Sequence, residues 1–266
     1  SHKMQLVTGP ANATDHRIKW TSSNKTAATV DENGTVTALR PIETVTITAV
    51  YKTNPALTCS WNLKITRTKG YITKQMLDNL DLTAIKKVMI TAHPDDETLW
   101  GGGHLIEGEY LVVCMTHGWN PKRRTAFEQT MRTTNDKYLI LDYPDVRKTF
   151  SNGKYETDML STCKNAMQED INLILSYKKW DLIATHNPFG EYGKYLHKTI
   201  SQMVTQCYNK MTNKSATLYY FGRYYNSSNK IPGEQIAPEL LAIKNSMVDR
   251  YYPTAKGAIV AFGHMI

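Results

Sequence analysis

Lys87-Val88-Met89-Ile90-Thr91-Ala92, followed at once by His93-Pro94-Asp95-Asp96-Glu97, is the stretch on which the reading of this chain turns. Its first six residues form a mostly apolar run, short and of the kind shown by a strand buried on both faces. Three similar runs follow: Tyr110-Leu111-Val112-Val113-Cys114-Met115-Thr116, Asp181-Leu182-Ile183-Ala184-Thr185 and Thr217-Leu218-Tyr219-Tyr220-Phe221. Helical stretches separate them. In the clearest, Leu160, Cys163, Met167, Ile171 and Ile174 recur at spacings of three and four, which places them on one buried face. The alternation predicts an α/β unit: a mainly parallel sheet with helices on both faces, Rossmann-like. Ligands in such sheets sit beyond the carboxyl ends of the strands, which directs attention to the loops after Ala92, Thr116 and Thr185.

Residues 1–68 follow a different grammar. Threonine fills 14 of the 68 positions, and Thr35-Val36-Thr37-Ala38-Leu39 and Thr44-Val45-Thr46-Ile47-Thr48-Ala49-Val50 alternate polar with apolar. That period of two marks half-buried antiparallel strands, and Asn33-Gly34 between Val30 and Val36 is a hairpin-turn signal. No carboxylates, histidines or nucleophile cluster there, so the stretch reads as a small all-β sandwich. The expected organisation is a sandwich over residues 1–68, a helical connector over 69–83 centred on the run from Tyr71 to Leu82, and the α/β unit over 84–266.

Composition narrows the function classes. The chain has 266 residues, 41% hydrophobic and 21% charged, enough apolar material for a sizeable core. No apolar run approaches the ~18 residues of a membrane helix. Lys and Arg number 32 against 24 Asp and Glu, a net charge of +8. Residues 1–68 carry 8 basic and 4 acidic side chains and the rest 24 and 20, so the excess is spread evenly. The densest cluster, Lys122-Arg123-Arg124, reads as a solvated face, and nucleic acid is not an expected partner. Cys59, Cys114, Cys163 and Cys207 lack CxxC pairing, which excludes a cysteine-built zinc site and leaves a single Cys163–Cys207 bridge open. Ser1-His2-Lys3-Met4 reads as a cloning remnant, and the apolar Met265-Ile266 ending, two residues after His264, as a truncated C-terminus.

The loop after the first strand holds four ionisable side chains in five residues, His93, Asp95, Asp96 and Glu97. Buried together they need a countercharge, and a divalent cation held by His93 and Asp96, three residues apart, would supply it. The bland reading is a solvated turn, with aspartate capping the next helix. The loop after Thr185 brings His186 and, further on, His197. His197 would complete a His/Asp/His set, the usual form of a catalytic zinc site with an open position for water. It also shares a helical face with Ile200 and Val204 and so reads equally as a core histidine, while His186 competes as a ligand.

Two resemblances attach to these residues. Trp20-Thr21-Ser22-Ser23-Asn24, Ala28 to Ala38 and Val45-Thr46-Ile47-Thr48-Ala49 resemble the bacterial Ig-like group 2 module. That resemblance implies an accessory domain, and with it an extracellular or cell-surface bacterial protein. Ala92-His93-Pro94-Asp95-Asp96-Glu97 with Gly101-Gly102-Gly103, and Thr185-His186-Asn187-Pro188 through Glu191-Tyr192-Gly193 to His197, resemble the PIG-L (LmbE-like) zinc-dependent N-acetylglucosaminyl deacetylases over roughly residues 84–225. The resemblance puts one Zn2+ on His93, Asp96 and His197, the general base on Asp95 and an oxyanion-holding tyrosine on Tyr192. The family's His-Pro-Asp-His run is here Lys194-Tyr195-Leu196-His197, so its auxiliary histidine and aspartate are absent; its Arg-x-x-Glu helix start is only approximated by Arg124.

The expected reaction is hydrolysis of the acetamide of an N-acetylated sugar by metal-activated water, with no covalent intermediate. Asp95 would carry the proton from water to the departing nitrogen. His117, Asn120, Arg124 and Lys194 are the expected substrate contacts, and His104 is expected to be structural. Glu97 is expected to support the loop or a ligand histidine's second nitrogen. Two alternatives stand beside this reading: an amidase acting on another acylated amine, and a surface glycan-binding protein without activity.

Overall fold

Period-two alternation in the first 68 residues becomes six strands, described with the rest of the fold by a computed structural model over residues 1–7, 15, 17–148, 155–212, 214–222 and 236–255. They are β1 (His2–Lys3), β2 (Ile18–Ser22), β3 (Ala28–Val30), β4 (Thr35–Ala38), β5 (Ile42–Tyr51) and β6 (Thr58–Ile65). Two antiparallel three-stranded sheets result, in the orders β1-β4-β3 and β2-β5-β6. Ala28 and Val36 from one sheet and Val45 and Ile47 from the other meet in a single core, with Trp20 packed against it. Asp31 Oδ1 holds the β3–β4 turn by accepting the N–H groups of Asn33 (2.9 Å) and Thr35 (2.7 Å). Of the Asn33-Gly34 pair only Gly34 has positive φ, +78°, and the Trp20 ring lies where any Cβ would stand. The opening residues are part of the fold. His2 and Lys3 pair with Val36 and Thr35, and Met4 packs on the core.

The chain divides into two compact units, the first built on residues 1–68, with 158–163 grouped to it, and the second holding 69–157 and 164–266. The second unit runs α1 (Lys74–Asp78), β7 (Lys87–Thr91), α2 (Asp96–Glu107), β8 (Tyr110–Thr116), α3 (Pro121–Thr134) and β9 (Lys137–Tyr143). It continues with β10 (Arg147–Lys148), β11 (Tyr155–Glu156), α4 (Asp158–Tyr177), β12 (Leu182–Thr185), α5 (Gly190–Gly193), α6 (Tyr195–Lys210), β13 (Thr217–Tyr220) and α7 (Pro238–Tyr251). Its five-stranded sheet is wholly parallel, in the order β13-β12-β7-β8-β9. The edge strand β9 is an addition to the four strands read from the sequence.

The strand order fixes where a ligand can sit. From β7 the chain adds β8 and β9 on one side, then returns to add β12 and β13 on the other. Between β7 and β12 the connections diverge, which opens a crevice at the strands' carboxyl ends. Met89, Val112, Cys114 and Ala184 share one core with Leu99 and Trp100 of α2, Phe127 and Met131 of α3, and Val248 and Tyr252 at the chain's far end. The alternate set Val88, Ile90, Leu111, Val113 and Ile183 is equally buried, and α6 packs on β7 and β12. Burial of both sets explains why these strands read as unbroken apolar runs. All four cysteines are free; Cys207 Sγ meets the Gln168 side chain at 2.7 Å, and no Cys163–Cys207 bridge forms. Among the described residues no helix is long and apolar enough to cross a membrane. His264 lies outside the described residues.

The connector expected over 69–83 is corrected. Only Lys74–Asp78 is helical, started by Thr73, whose hydroxyl accepts the Met76 N–H, and the turn after it carries Asp81 at φ 47°. Residues before the helix are bonded into the α/β unit instead: Asp170 of α4 accepts the N–H groups of Tyr71 (2.9 Å) and Ile72 (2.8 Å) and the Tyr143 hydroxyl (2.6 Å). A buried carboxylate with three donors stabilises the unit only while all three are present. Asp170→Ala is expected to destabilise the α/β unit by about 3 kcal/mol, and Tyr143→Phe, which removes one donor, by about 1 kcal/mol. Urea unfolding of the two variants measures the difference.

Candidate metal centre

The β7 strand delivers His93 to the crevice, and the chain turns sharply into α2. His93 N–H donates to Asp96 Oδ2 at 2.7 Å, which closes the turn and places both side chains on one side. Asp95 sits between them at φ 134°, ψ −30°, a conformation non-glycine residues rarely adopt. Strain of that kind persists where the surroundings over-determine it, and it concentrates at functional sites. Asp95 occupies the cap position of α2, yet its side chain makes no capping bond. The capping role offered by the bland reading is therefore unfilled.

On the neighbouring strand, β12 leads into Asn187, whose Nδ2 donates to the carbonyls of Phe221 and Gly222 while its Oδ1 accepts the Phe189 and Glu191 N–H groups. That clamp sets the course of the chain through α5 to the first turn of α6, where His197 is fully buried. His93 Nδ1, His197 Nε2 and Asp96 Oδ2 converge: 3.1 Å between the two nitrogens, 3.1 and 3.3 Å from them to the oxygen. The edge of a tetrahedron around an ion ~2.0–2.1 Å from each donor is roughly 3.3–3.4 Å, so the spacing fits a zinc-sized cation.

The far nitrogens of both histidines are held by carboxylates. His93 Nε2 meets Asp145 Oδ1 at 3.0 Å, and His197 Nδ1 meets Glu191 Oε2 at 2.5 Å. Proton sharing with those carboxylates leaves the lone pairs of His93 Nδ1 and His197 Nε2 facing each other, an arrangement that calls for a cation between them. In the ion-free protein a proton fills that need. Burial alone would depress His93, but the carboxylates of Asp96 and Asp145 override it and push its pKa up to about 9. Burial would raise Asp96, and the imidazoles of His197, His186 and His93 hold it well below the usual carboxylate range.

His186, the competing ligand, has a different task. Its Nε2 accepts the Ala92 N–H at 2.9 Å, its Nδ1 faces Glu191 Oε2 at 3.1 Å, and its ring stacks on His197 at 3.9 Å. The same Nε2 lies 3.4 Å from Asp96 Oδ2, so His186 faces the carboxylate on which His93 and His197 converge.

Asp95 is held by Arg123 of α3, whose guanidinium donates to Asp95 Oδ2 at 3.1 Å and to the Pro94 carbonyl at 2.8 Å. Burial and the adjacent Asp96 raise the Asp95 carboxyl to about 7 against the downward pull of Arg123 and His93. The Lys122-Arg123-Arg124 cluster is thus not wholly a solvated face. Arg124, expected at the substrate, donates to the Gly118 carbonyl at 2.6 Å and pairs with Glu128. Asn120, also expected at the substrate, caps α3, its Oδ1 accepting the N–H groups of Lys122 and Arg123. Lys194 is half-buried at the start of α6. His117, at φ 65°, lies 3.5 Å from Asp145 and 5.7 Å, ring to ring, from His93. Tyr192 is 51% exposed, with its ring edge-on to His197 at 5.9 Å. Glu97 supports the loop, accepting the Asp95 N–H, while Asp145 and Glu191 meet the far nitrogens of His93 and His197. His104 is exposed in the last turn of α2.

The sequence assigns no role in the site to Asp145, Glu191 or Arg123. A signal for Arg123 existed: Asn120-Pro121 is a cap followed by a first-turn proline, which fixes the helix start and puts Arg123 in its first turn.

Comparison with known proteins follows this geometry. Residues 1–60 match the bacterial Ig-like domain (group 2). The chain is 31% identical over 175 residues to uncharacterized protein L374 of Acanthamoeba polyphaga mimivirus, covering 59% of this chain and 67% of that protein. It is 33% identical over 97 residues to an uncharacterized protein of Clostridium acetobutylicum, covering 36% of this chain and a tenth (10%) of that relative. Among solved structures, the conserved protein TT1542 from Thermus thermophilus is similar with a TM-score of 0.44 and 13% identity, over 65% of this chain and 84% of that one.

Zinc is expected to bind with one ion per chain and to displace a proton, because His93 must give up its own to become a ligand. Affinity should therefore fall about tenfold for each unit the pH is lowered below about 9. Calorimetric titration in buffers of different ionisation enthalpy reads both effects, and His93→Ala should abolish them.

Proposed function

The chain belongs to the family of the mimivirus protein L374, and from its metal centre we propose that it is a zinc-dependent hydrolase that removes the N-acetyl group from an N-acetylated amino sugar. The observation that carries this reading is a three-donor set, His93, Asp96 and His197, beside a partly buried carboxylate held by a different partner, Asp95 on Arg123. Three protein ligands leave the fourth position of a tetrahedral ion for water, the form of a catalytic rather than a structural site. The same three residues are those on which the resemblance to PIG-L deacetylases puts zinc, and that resemblance supplies the sugar.

Zinc, when bound, contributes Lewis acidity: it makes a water easier to deprotonate and polarises the amide carbonyl. The remaining work falls to the chain. Asp95 takes the water's proton on its carboxylate, and the guanidinium of Arg123 keeps that carboxylate turned away from coordination. Asp95 then returns the proton to the departing nitrogen; at the auxiliary positions stand Lys194, Tyr195 and Leu196, and Leu196 is buried. The Tyr192 hydroxyl, on a half-exposed ring at the mouth of the crevice, donates to the developing oxyanion, a contribution of ~2.7–4 kcal/mol for donors of this type. The Ig-like module fits display of this activity at a bacterial surface.

Asp95→Ala is expected to keep its zinc and lose turnover by ~10²–10⁴-fold, assayed as amine release from N-acetylglucosamine oligomers. Chelation should abolish the wild-type reaction and added zinc restore it. A near-normal rate in Asp95→Ala removes the base assignment, and a rate indifferent to chelator removes the metal.

A further inference from the structure

Tyr252 follows α7, near the end of the described chain, yet it touches the loop that carries Asp95. Its hydroxyl donates to Glu97 Oε1 at 2.6 Å and accepts from Thr130 Oγ1 at 3.4 Å. The other oxygen of the same carboxylate, Glu97 Oε2, accepts the Asp95 N–H at 3.0 Å. Thr98 Oγ1 adds a bond to Glu97 Oε1 at 2.8 Å. Glu97 is fully buried and Tyr252 is 6% exposed, its ring packed in the core cluster with Leu99, Trp100 and Val248.

The Asp95 N–H belongs to the residue with φ 134°, and it lies outside the hydrogen-bond ladders of both β7 and α2. Such a conformation holds only when neighbouring groups fix it. Arg123 grips the side chain; the peptide itself is gripped by Glu97, and Glu97 by Tyr252. We propose that Tyr252 is a positioning residue: through Glu97 it locks the Pro94–Asp95 peptide and so aims the Asp95 carboxylate. The catalytic consequence rests on the deacetylase reading above; the positioning itself does not.

Tyr252→Phe keeps the ring and deletes only the hydroxyl. In the ion-free protein, amide exchange at Asp95 is expected to speed up about tenfold, with zinc uptake unchanged. On N-acetylglucosamine oligomers kcat should fall about tenfold at constant KM. Glu97→Ala should produce the same exchange defect, and adding Tyr252→Phe to it should change nothing further, since both act through one bond. An Asp95 amide that exchanges at the wild-type rate in Tyr252→Phe overturns the inference, as does a double variant whose defects add. Should wild-type protein release no amine, the functional reading fails, while the exchange measurement still decides this one.

Discussion

Two imidazole lone pairs and a carboxylate oxygen face one another across about 3 Å in a buried crevice, and much of the α/β unit can be understood as holding them there. Such atoms repel unless a positive charge, a proton or a metal ion, lies among them. The fold brings them together by position. His93 comes from the end of β7, and His197 from the element following β12, the adjacent strand on the other side of the point where the strand order reverses. Asp145, beyond β9, and Glu191, on the short α5, then orient the two rings from behind. The centre thus draws on the ends of β7, β9 and β12 and on the segments beyond them, and no single local motif could produce it.

What the sequence made legible follows from that division. His93 and Asp96 lie within one turn after an unmistakable strand, and His186 and His197 both follow the end of a second. Spacing does not reveal that His186 Nε2 meets the Ala92 N–H, a backbone group just beyond β7. Asp145 went unseen because β9 went unseen: Lys137-Tyr138-Leu139-Ile140-Leu141-Asp142-Tyr143 is an edge strand, half-exposed along much of its length, and mixes its polarity accordingly. Arg123 and Arg124 are neighbours in sequence but about 100° apart around α3, so one reaches the crevice and the other a loop carbonyl. The connector misled for a related reason. Apolar residues between Tyr71 and Leu82 suggested a helix, whereas Ile72, Leu77 and Leu82 are buried mostly by tertiary packing around a helix of five residues.

The first unit shows the opposite case, in which local pattern sufficed. Alternation placed Val45, Ile47 and Ala49 on the inner face of β5, and the turn residues fixed the β3–β4 hairpin. Its charges are few and spread out. The net charge of +8 likewise marks no single basic face; one of its arginines, Arg123, is spent on Asp95 in the crevice.

The twisted backbone at Asp95 also bears on how such a chain changes over generations. Glycine would adopt φ 134° without penalty, but would discard the carboxylate that gives the position its value. Stability and chemistry therefore pull this one codon in opposite directions, as they do wherever strain is kept for use. Relieving the backbone at residue 95 with glycine would thus also remove the carboxylate that the Arg123 guanidinium holds.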